Sequence, residues 1–284
     1  MKLVLVTGLS GSGKSVALNV LEDAGYYCAD NLPAQMLPDL VATLRETGIE
    51  NVAVSIDART AAAATGRGLS ELPQYLGNLS RFGVALQALF LTANDDALVR
   101  RYSETRRRHP LDDGSATIVE YIARERELLA ELRGLAHVID TSDVRPNTLR
   151  GWVKDFLGGG LDKQLMLVFA SFGFKHGIPL DADLAFDVRP LPNPYYDHAL
   201  RPLNGRDTAV IAFLAATPAA QEMLTDIEQF VAKWLPAYQR DNRHYLTVAI
   251  GCTGGQHRSV YFAEQLAARF AARVPVLVRH REIR

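Results

Sequence analysis

Eight consecutive residues near the start of the chain, Gly8-Leu9-Ser10-Gly11-Ser12-Gly13-Lys14-Ser15, carry the most specific chemistry in the sequence. They satisfy the pattern G-x-x-x-x-G-K-[ST], in which glycines let successive backbone N–H groups converge on phosphate oxygens. A helix opening at Lys14 would add the positive end of its dipole. Lys14 would then reach the β and γ phosphates of a nucleoside triphosphate, and the Ser15 hydroxyl would hold Mg2+. Such a site also needs a carboxylate at the end of a neighbouring strand to support the metal through water. Asp57, behind the apolar run Val52-Ala53-Val54-Ser55-Ile56, has that form. Asp30 ends the shorter run Tyr26–Ala29 and could contact the metal or a substrate. Lys14, Ser15 and Asp57 are the expected catalytic residues.

Arg100, Arg101, Arg106, Arg107 and Arg108, with His109, crowd into ten positions that hold one acid, Glu104. Such arginines could neutralise a transferring phosphoryl group from a lid, form a solvated helix face, or hold an RNA backbone. No phosphoryl acceptor is legible, so hydrolysis to water and transfer to a small molecule both stay open. A second anion cradle follows the run Tyr245–Ile250, as Gly251-Cys252-Thr253-Gly254-Gly255-Gln256-His257-Arg258-Ser259. Its backbone and the next helix would hold a phosphate, with Arg258 as a bidentate clamp. The same residues read C-x-x-G-x-x-R-S, the spacing of cysteine-dependent phosphatases, although Gly251 stands where a His usually precedes the Cys. The expected use is phosphate binding without catalysis, with Cys252 a small loop residue. Upstream, Ser171–Pro179 and Phe186–Pro194 place Lys175, His176, Asp187 and Arg189 on stretches stiffened by Gly and Pro, suited to a pocket wall.

The elements that must position these residues follow from the apolar pattern. Lys2–Thr7 is a β-branched run without alternation, as in a parallel strand covered on both faces. Lys14–Ala24 repeats apolar residues at helical spacing and stops at Gly25. Short apolar runs at Tyr26–Ala29, Val52–Ile56, Ala88–Thr92 and His137–Ile139 alternate with helical stretches such as Asp95–Arg106 and Thr117–Arg133. That alternation predicts a doubly wound α/β domain with a parallel sheet and ligand loops at its strand ends. Gly158-Gly159-Gly160 then breaks the pattern, so the expected division is a nucleotide-binding domain over 1–157 and a smaller α/β domain over 162–284. The second is expected to hold strands near Leu165–Phe169, Leu184–Asp187 and Tyr245–Ile250, and helices near Ala219–Leu235 and Val260–Arg273. Trp152 and Trp234 fall on apolar helical stripes and are expected in the core, and Ala61–Ala64 reads as a mobile loop.

Composition sets outer limits. The 284 residues carry 31 Lys plus Arg against 32 Asp plus Glu, a formal net charge of -1, which argues against a general polyanion binder. Two cysteines, Cys28 and Cys252, make no disulfide framework and no zinc spacing, which fits a reducing compartment. Leu3–Val6 is too short for a membrane span or a signal segment, so a cytoplasmic protein without membrane contact is expected.

Taken together, Gly8–Ser15, Tyr27–Pro33, Ser55–Arg59, Ser171–Pro179, Phe186–Pro194 and Ala249–Val260 resemble the RapZ/YvcJ family of P-loop nucleotide-binding proteins, the RNase adapter proteins. The resemblance spans nearly the whole chain. It implies slow ATP and GTP hydrolysis with Mg2+, ATP held by Gly8–Ser15, and GTP held by Asp57, Ala58, Arg59 and Thr60. It also implies a phosphofructokinase-like second domain that senses a phosphorylated amino sugar through Asp187, Thr253, Gly254 and Arg258. Partners implied are small RNA, an RNase and further copies of the chain. Adapters of the family end in a lysine-rich tail, whereas Arg269–Arg284 here holds five Arg, one Glu and no Lys. RNA contacts are therefore expected at Arg273, Arg279, Arg281 and Arg284. Two other readings remain, a small-molecule P-loop kinase and an RNA-binding adapter without meaningful catalysis.

Overall fold

The computed structural model describes residues 1–58, 67–158, 165–240 and 245–283. The chain divides into two compact α/β units, Met1–Leu157 and Gly158–Arg284.

In the first unit the strands are β1 (Lys2–Gly8), β2 (Tyr27–Ala29), β3 (Asn51–Ser55), β4 (Ala85–Thr92) and β5 (His137–Asp140). They form one parallel sheet in the order β2-β3-β1-β4-β5. β1 is central, with Leu5 opposite Val54 on one side and Ala88 on the other. Leu3–Gly8 are buried, which is why this run shows no polar alternation. The order reverses at β1, between β3 and β4, and the crevice outside that reversal is where a doubly wound sheet takes its ligand.

The helices of this unit are α1 (Lys14–Asp23), α2 (Leu37–Glu46), α3 (Arg67–Arg81), α4 (Asp95–Thr105), α5 (Ile118–Leu128), α6 (Ala130–Leu135) and α7 (Pro146–Gly158). The stretch expected as one helix over Thr117–Arg133 is two, because Leu129 leaves helical geometry at φ -98, ψ 4. α5 starts on a capping box: the Thr117 side chain accepts from the Glu120 N–H, and Glu120 accepts from the Thr117 N–H. Trp152 is buried as expected. The Ala61–Ala64 stretch lies outside the described residues.

The second unit has β6 (Met166–Gly173), β7 (Leu184–Asp187), β8 (Tyr245–Cys252) and β9 (Val276–His280), parallel in the order β7-β8-β6-β9. Its helices are α8 (Thr208–Ala215), α9 (Pro218–Arg240) and α10 (Arg258–Phe270). Every residue of β6 is buried, and Phe169 packs on Phe270 of α10 at 5.7 Å between ring centroids. One expectation is corrected here. Trp234 is 46% exposed on α9, because the buried stripe of that helix runs through Leu224, Ile227, Val231 and Leu235 instead. The sequence reading also missed a strand: Val276–His280 pairs with Leu167–Ser171 of β6 as β9. Its Val-Leu-Val run was hidden between arginines.

Candidate phosphate sites

β1 delivers the chain directly into the phosphate loop. Gly8, at φ +129, passes so close to β4 that a Cβ would stand 2.0 Å from the Leu91 carbonyl oxygen, so only glycine fits. Leu9 N–H then donates to Leu91 O at 3.0 Å, and Ser12 N–H to Leu9 O at 3.1 Å, closing the turn. Gly13, left-handed, sits at the N-cap of α1, and no side chain caps that helix. An uncapped first turn presents its N–H groups to an anion. Lys14 Nζ donates to Gly8 O at 2.7 Å and Leu9 O at 3.2 Å, along the rim of the loop, and Ser15 is exposed.

Asp57 is 1% exposed, just beyond β3. Thr7 Oγ1 on β1, Ser55 Oγ on β3 and Ser12 Oγ in the loop are buried without hydrogen-bond partners. Hydroxyls and a carboxylate at adjoining strand ends make an all-oxygen set, the chemistry of a hard cation such as the Mg2+ that accompanies a nucleotide. Ala58 is buried beside Asp57, whereas Arg59 and Thr60 of the expected GTP segment lie outside the described residues. Asp30 is exposed after β2. Among the described residues no group of three or more His, Cys, Asp and Glu could hold a metal ion by itself.

The arginine cluster does not act as one surface. Arg100, Arg106, Arg107 and Arg108 are exposed. Arg101 turns inward, donating to Gly11 O at 3.0 Å and Thr141 Oγ1 at 3.1 Å, and also to Thr141 O and Ser142 O. Burial lowers its pKa from the ordinary arginine value, with Arg100 adding to the effect. Thr141 Oγ1 in turn donates to Ser12 O at 2.9 Å. The loop is thus clamped through its Gly11 and Ser12 carbonyls.

The sequence reading missed a further clamp. Glu125 on α5 is fully buried; its Oε2 accepts the Ser10 N–H at 2.9 Å and its Oε1 the Ser10 hydroxyl at 2.7 Å. His109 Nε2 lies 3.2 Å from the same carboxylate, with the imidazole between the rings of Tyr102 and Tyr121. A signal existed: Glu125 falls on the apolar stripe Tyr121, Ile122, Leu129, where a carboxylate needs a partner.

In the second unit β8 ends at Cys252, the loop Thr253–His257 follows, and α10 begins at Arg258. Arg258 is 3% exposed, and burial lowers its pKa, opposed chiefly by Cys252. Asp187 ends β7, opposite Gly251 in register, and pairs bidentately with Arg189, Nη2 to Oδ2 at 2.7 Å. That hydrogen bonding holds the Asp187 carboxyl below its ordinary range despite partial desolvation. The Arg189 guanidinium lies 4.0 Å from the centre of the Phe174 ring. Strand register therefore brings Asp187, Thr253, Gly254 and Arg258 to one sheet end, with open space over Gly254. His176 is exposed, in a short 3-10 turn.

Gly255, at φ +73, leaves no room for a Cβ, which would stand 2.3 Å from Glu282 Oε2 and 2.7 Å from Gly173 N. Behind the loop Ser171 Oγ meets His280 Nδ1 at 2.6 Å, His280 Nε2 meets Glu264 Oε1 at 3.1 Å, and Arg206 Nε donates to Glu264 Oε1 at 2.6 Å. The chain of groups has the composition of a hydrolytic triad, but Ser171 is completely buried and no substrate reaches it. It ties β6, β9 and α10 together.

The four arginines expected to touch RNA differ in kind. Arg273 is exposed, 3.4 Å from Glu228. Arg281 is half-buried and donates to Gly177 O at 3.3 Å. Arg279 is corrected as a surface contact, since it is 3% exposed on β9, and Arg284 lies outside the described residues. Among the described residues no helix is long and apolar enough to cross a membrane.

Residues 1–161 match the model of the RapZ-like N-terminal domain, and residues 165–284 that of the RapZ C-terminal domain. A nucleotide-binding protein of Azoarcus sp. (strain BH72) is 58% identical over 281 residues, 99% of this chain and 94% of that protein. A nucleotide-binding protein of Thiobacillus denitrificans is 57% identical over 283 residues, covering both chains completely. Among solved structures, a shikimate kinase from Bacteroides thetaiotaomicron matches 55% of this chain and 98% of its own at 13% identity and a TM-score of 0.39. Two domain models that account for almost the whole chain, and relatives at this identity covered over at least 94% of their length, place it: the chain belongs to the RapZ family.

Proposed function

We propose that this protein is a regulatory nucleotide-binding protein whose first unit binds ATP or GTP with Mg2+ and hydrolyses it slowly. The observation that carries the reading is the Gly8–Ser15 loop, set between the central strand and an uncapped helix with Lys14 along its rim. Relatives 57–58% identical over at least 94% of their length are named nucleotide-binding proteins. In this reading the loop N–H groups and the α1 terminus hold the phosphates, and Lys14 swings from the Gly8 carbonyl to the β and γ oxygens. Ser15, with Asp57 behind it, would hold Mg2+, which neutralises charge on the phosphates when bound. In this reading water is the acceptor.

The second unit would take a phosphorylated amino sugar, with phosphate on the Thr253–Arg258 loop and the ammonium group toward Asp187. Small RNA and an RNase would be the effectors of the switch in a reducing, cytoplasmic setting, with RNA held by Arg273 and Arg281. The test is equilibrium binding of ATP and GTP with Mg2+, together with phosphate release, for the wild type and Lys14→Ala. Binding with slow release, both lost in the variant, supports the reading. Nucleotide binding that survives Lys14→Ala unchanged overturns it. Transfer of the γ phosphate to an amino sugar would replace it with the kinase reading.

A further inference from the structure

The loop after β8 has chemistry that anion binding alone does not use. Cys252 closes the strand with 3% of its surface exposed, and its Sγ accepts the Gly255 N–H at 3.2 Å and lies 3.1 Å from Ser259 Oγ. Five residues separate Cys252 from Arg258, at the first turn of the 13-residue helix α10. Arg258 spends Nη1 on the carbonyls of Arg189 and Leu191, both at 2.8 Å, which fixes the plane of the guanidinium. Its other edge carries Nη2, with a weak 3.4 Å contact to Thr253 Oγ1, and Nε, which is buried without a hydrogen-bond partner. A guanidinium edge with two N–H donors matches two oxygens of one phosphate. Here that edge is held, almost fully buried, beside a sulfur whose other neighbours are an N–H and a hydroxyl.

We propose that Cys252 is a phosphoryl-accepting nucleophile, and that the Cys252–Arg258 loop hydrolyses phosphate monoesters through a cysteinyl phosphate. The inference rests on the reading of this loop as a phosphate site, though not on the identity of the ligand. The thiol first loses its proton to solvent, since the thiolate is the nucleophile. Sγ then attacks phosphorus, the P–S bond forms, and the bond to the ester oxygen breaks, while Arg258 and the loop N–H groups hold the remaining oxygens. Water next attacks phosphorus, the P–S bond breaks, and inorganic phosphate leaves with the thiolate restored. Ser259 donates its hydroxyl hydrogen to the sulfur as the P–S bond breaks, which favours this second step.

The structure also sets the substrate class. Asp187 stands at this sheet end by strand register, and Arg189 holds it as a carboxylate, so it has no proton for a departing alkoxide. With Asp187 in that form, the proposed step gives the leaving oxygen no acid. That selects esters of acidic hydroxyls, an aryl phosphate above all, and leaves an alkyl sugar phosphate bound but uncleaved.

The test uses the full chain carrying Lys14→Ala, which removes phosphate release by the first unit. Inorganic phosphate binding is measured by calorimetry, and phosphate release from p-nitrophenyl phosphate and glucosamine 6-phosphate is followed for this background and for added Cys252→Ser and Ser259→Ala. The expected result is release from the aryl ester only, reduced roughly 100-fold by Cys252→Ser, with phosphate affinity kept within about threefold. Ser259→Ala should release nitrophenol in a burst and leave a phosphorylated Cys252 peptide in the mass spectrum. Phosphate bound without release from the aryl ester, or release unchanged by Cys252→Ser, overturns the nucleophile and leaves the anion site standing. Absence of phosphate binding overturns both. A melting curve for Cys252→Ser that matches the background secures the comparison.

Discussion

Glu125 and Ser10 stand 115 residues apart in sequence, yet the Glu125 carboxylate takes both the Ser10 N–H, at 2.9 Å, and the Ser10 hydroxyl, at 2.7 Å. The first unit therefore sets a fully buried carboxyl group against its own phosphate loop. Glu125→Ala would strand two buried donors and His109, at a cost of about 3 kcal/mol. For a unit of this size that corresponds to a fall of roughly 6–12 °C in the melting temperature. Calorimetric scanning checks it, and a loss below about 2 °C would mean that water replaces the carboxylate.

Arg101 holds the same loop by its carbonyls. Arg101→Lys keeps the charge but not the planar fork that bridges Gly11 and Thr141. The expected outcome is a roughly tenfold weaker nucleotide affinity, with Lys14 and Ser15 intact. Equal affinity for both proteins, measured by fluorescence titration, would show that the clamp is dispensable.

His280 gives the second unit a pH signature. Burial lowers its pKa below the ordinary value of about 6.5, against the opposing pull of Glu264, with Arg206 and Ser171 as its other polar neighbours. The unfolded chain thus binds a proton at higher pH than the folded one. Stability is full above about pH 6.5 and falls as the pH drops from there toward the folded value. Glu264, held below its ordinary range by His280 and Arg206 against its own burial, adds a loss only at more acid pH. Melting curves between pH 7.5 and 5 (roughly the window of the shift) should steepen for the wild type and flatten for His280→Asn.

Asp187 tests the amino-sugar reading. Asp187→Asn should weaken glucosamine 6-phosphate about tenfold and leave glucose 6-phosphate within about twofold, because only the first carries an ammonium group. Equal losses for both ligands would place Asp187 on the phosphate side or in the scaffold.

Arg273 and Arg279 separate surface from strand. Arg273→Ala should lower RNA affinity and reduce the salt slope by about 1. Arg279→Ala should instead lower thermal stability, since it empties a buried position on β9. Filter binding over a salt series, beside melting curves, distinguishes the two.

Much of the first unit was legible because its signals are local. The run Lys2–Thr7, the glycines and Lys14 each report their own conformation or chemistry within a few residues, and the structure places them on one strand, one turn and one helix. Long-range partners left weaker traces. Glu125 looked like one more charge on a helix until α5 packed against the phosphate loop, and Arg101 was one of five arginines until its guanidinium met Thr141. Val276–His280 reads as a basic end because its apolar residues acquire meaning only when β6 lies alongside.

By itself the sequence determined that a phosphate loop stands between a buried strand and a helix, and that a second glycine-rich loop leads from Cys252 to Arg258. Backbone conformation and donor chemistry at such motifs are fixed within the motif. Tertiary structure alone decided which carboxylate, hydroxyl or guanidinium stands beside each loop, which arginine edge is left over, and whether Ser171 and Arg279 meet solvent. Those outcomes depend on sheet order and helix packing, which bring together residues whose separation along the chain carries no record of their contact.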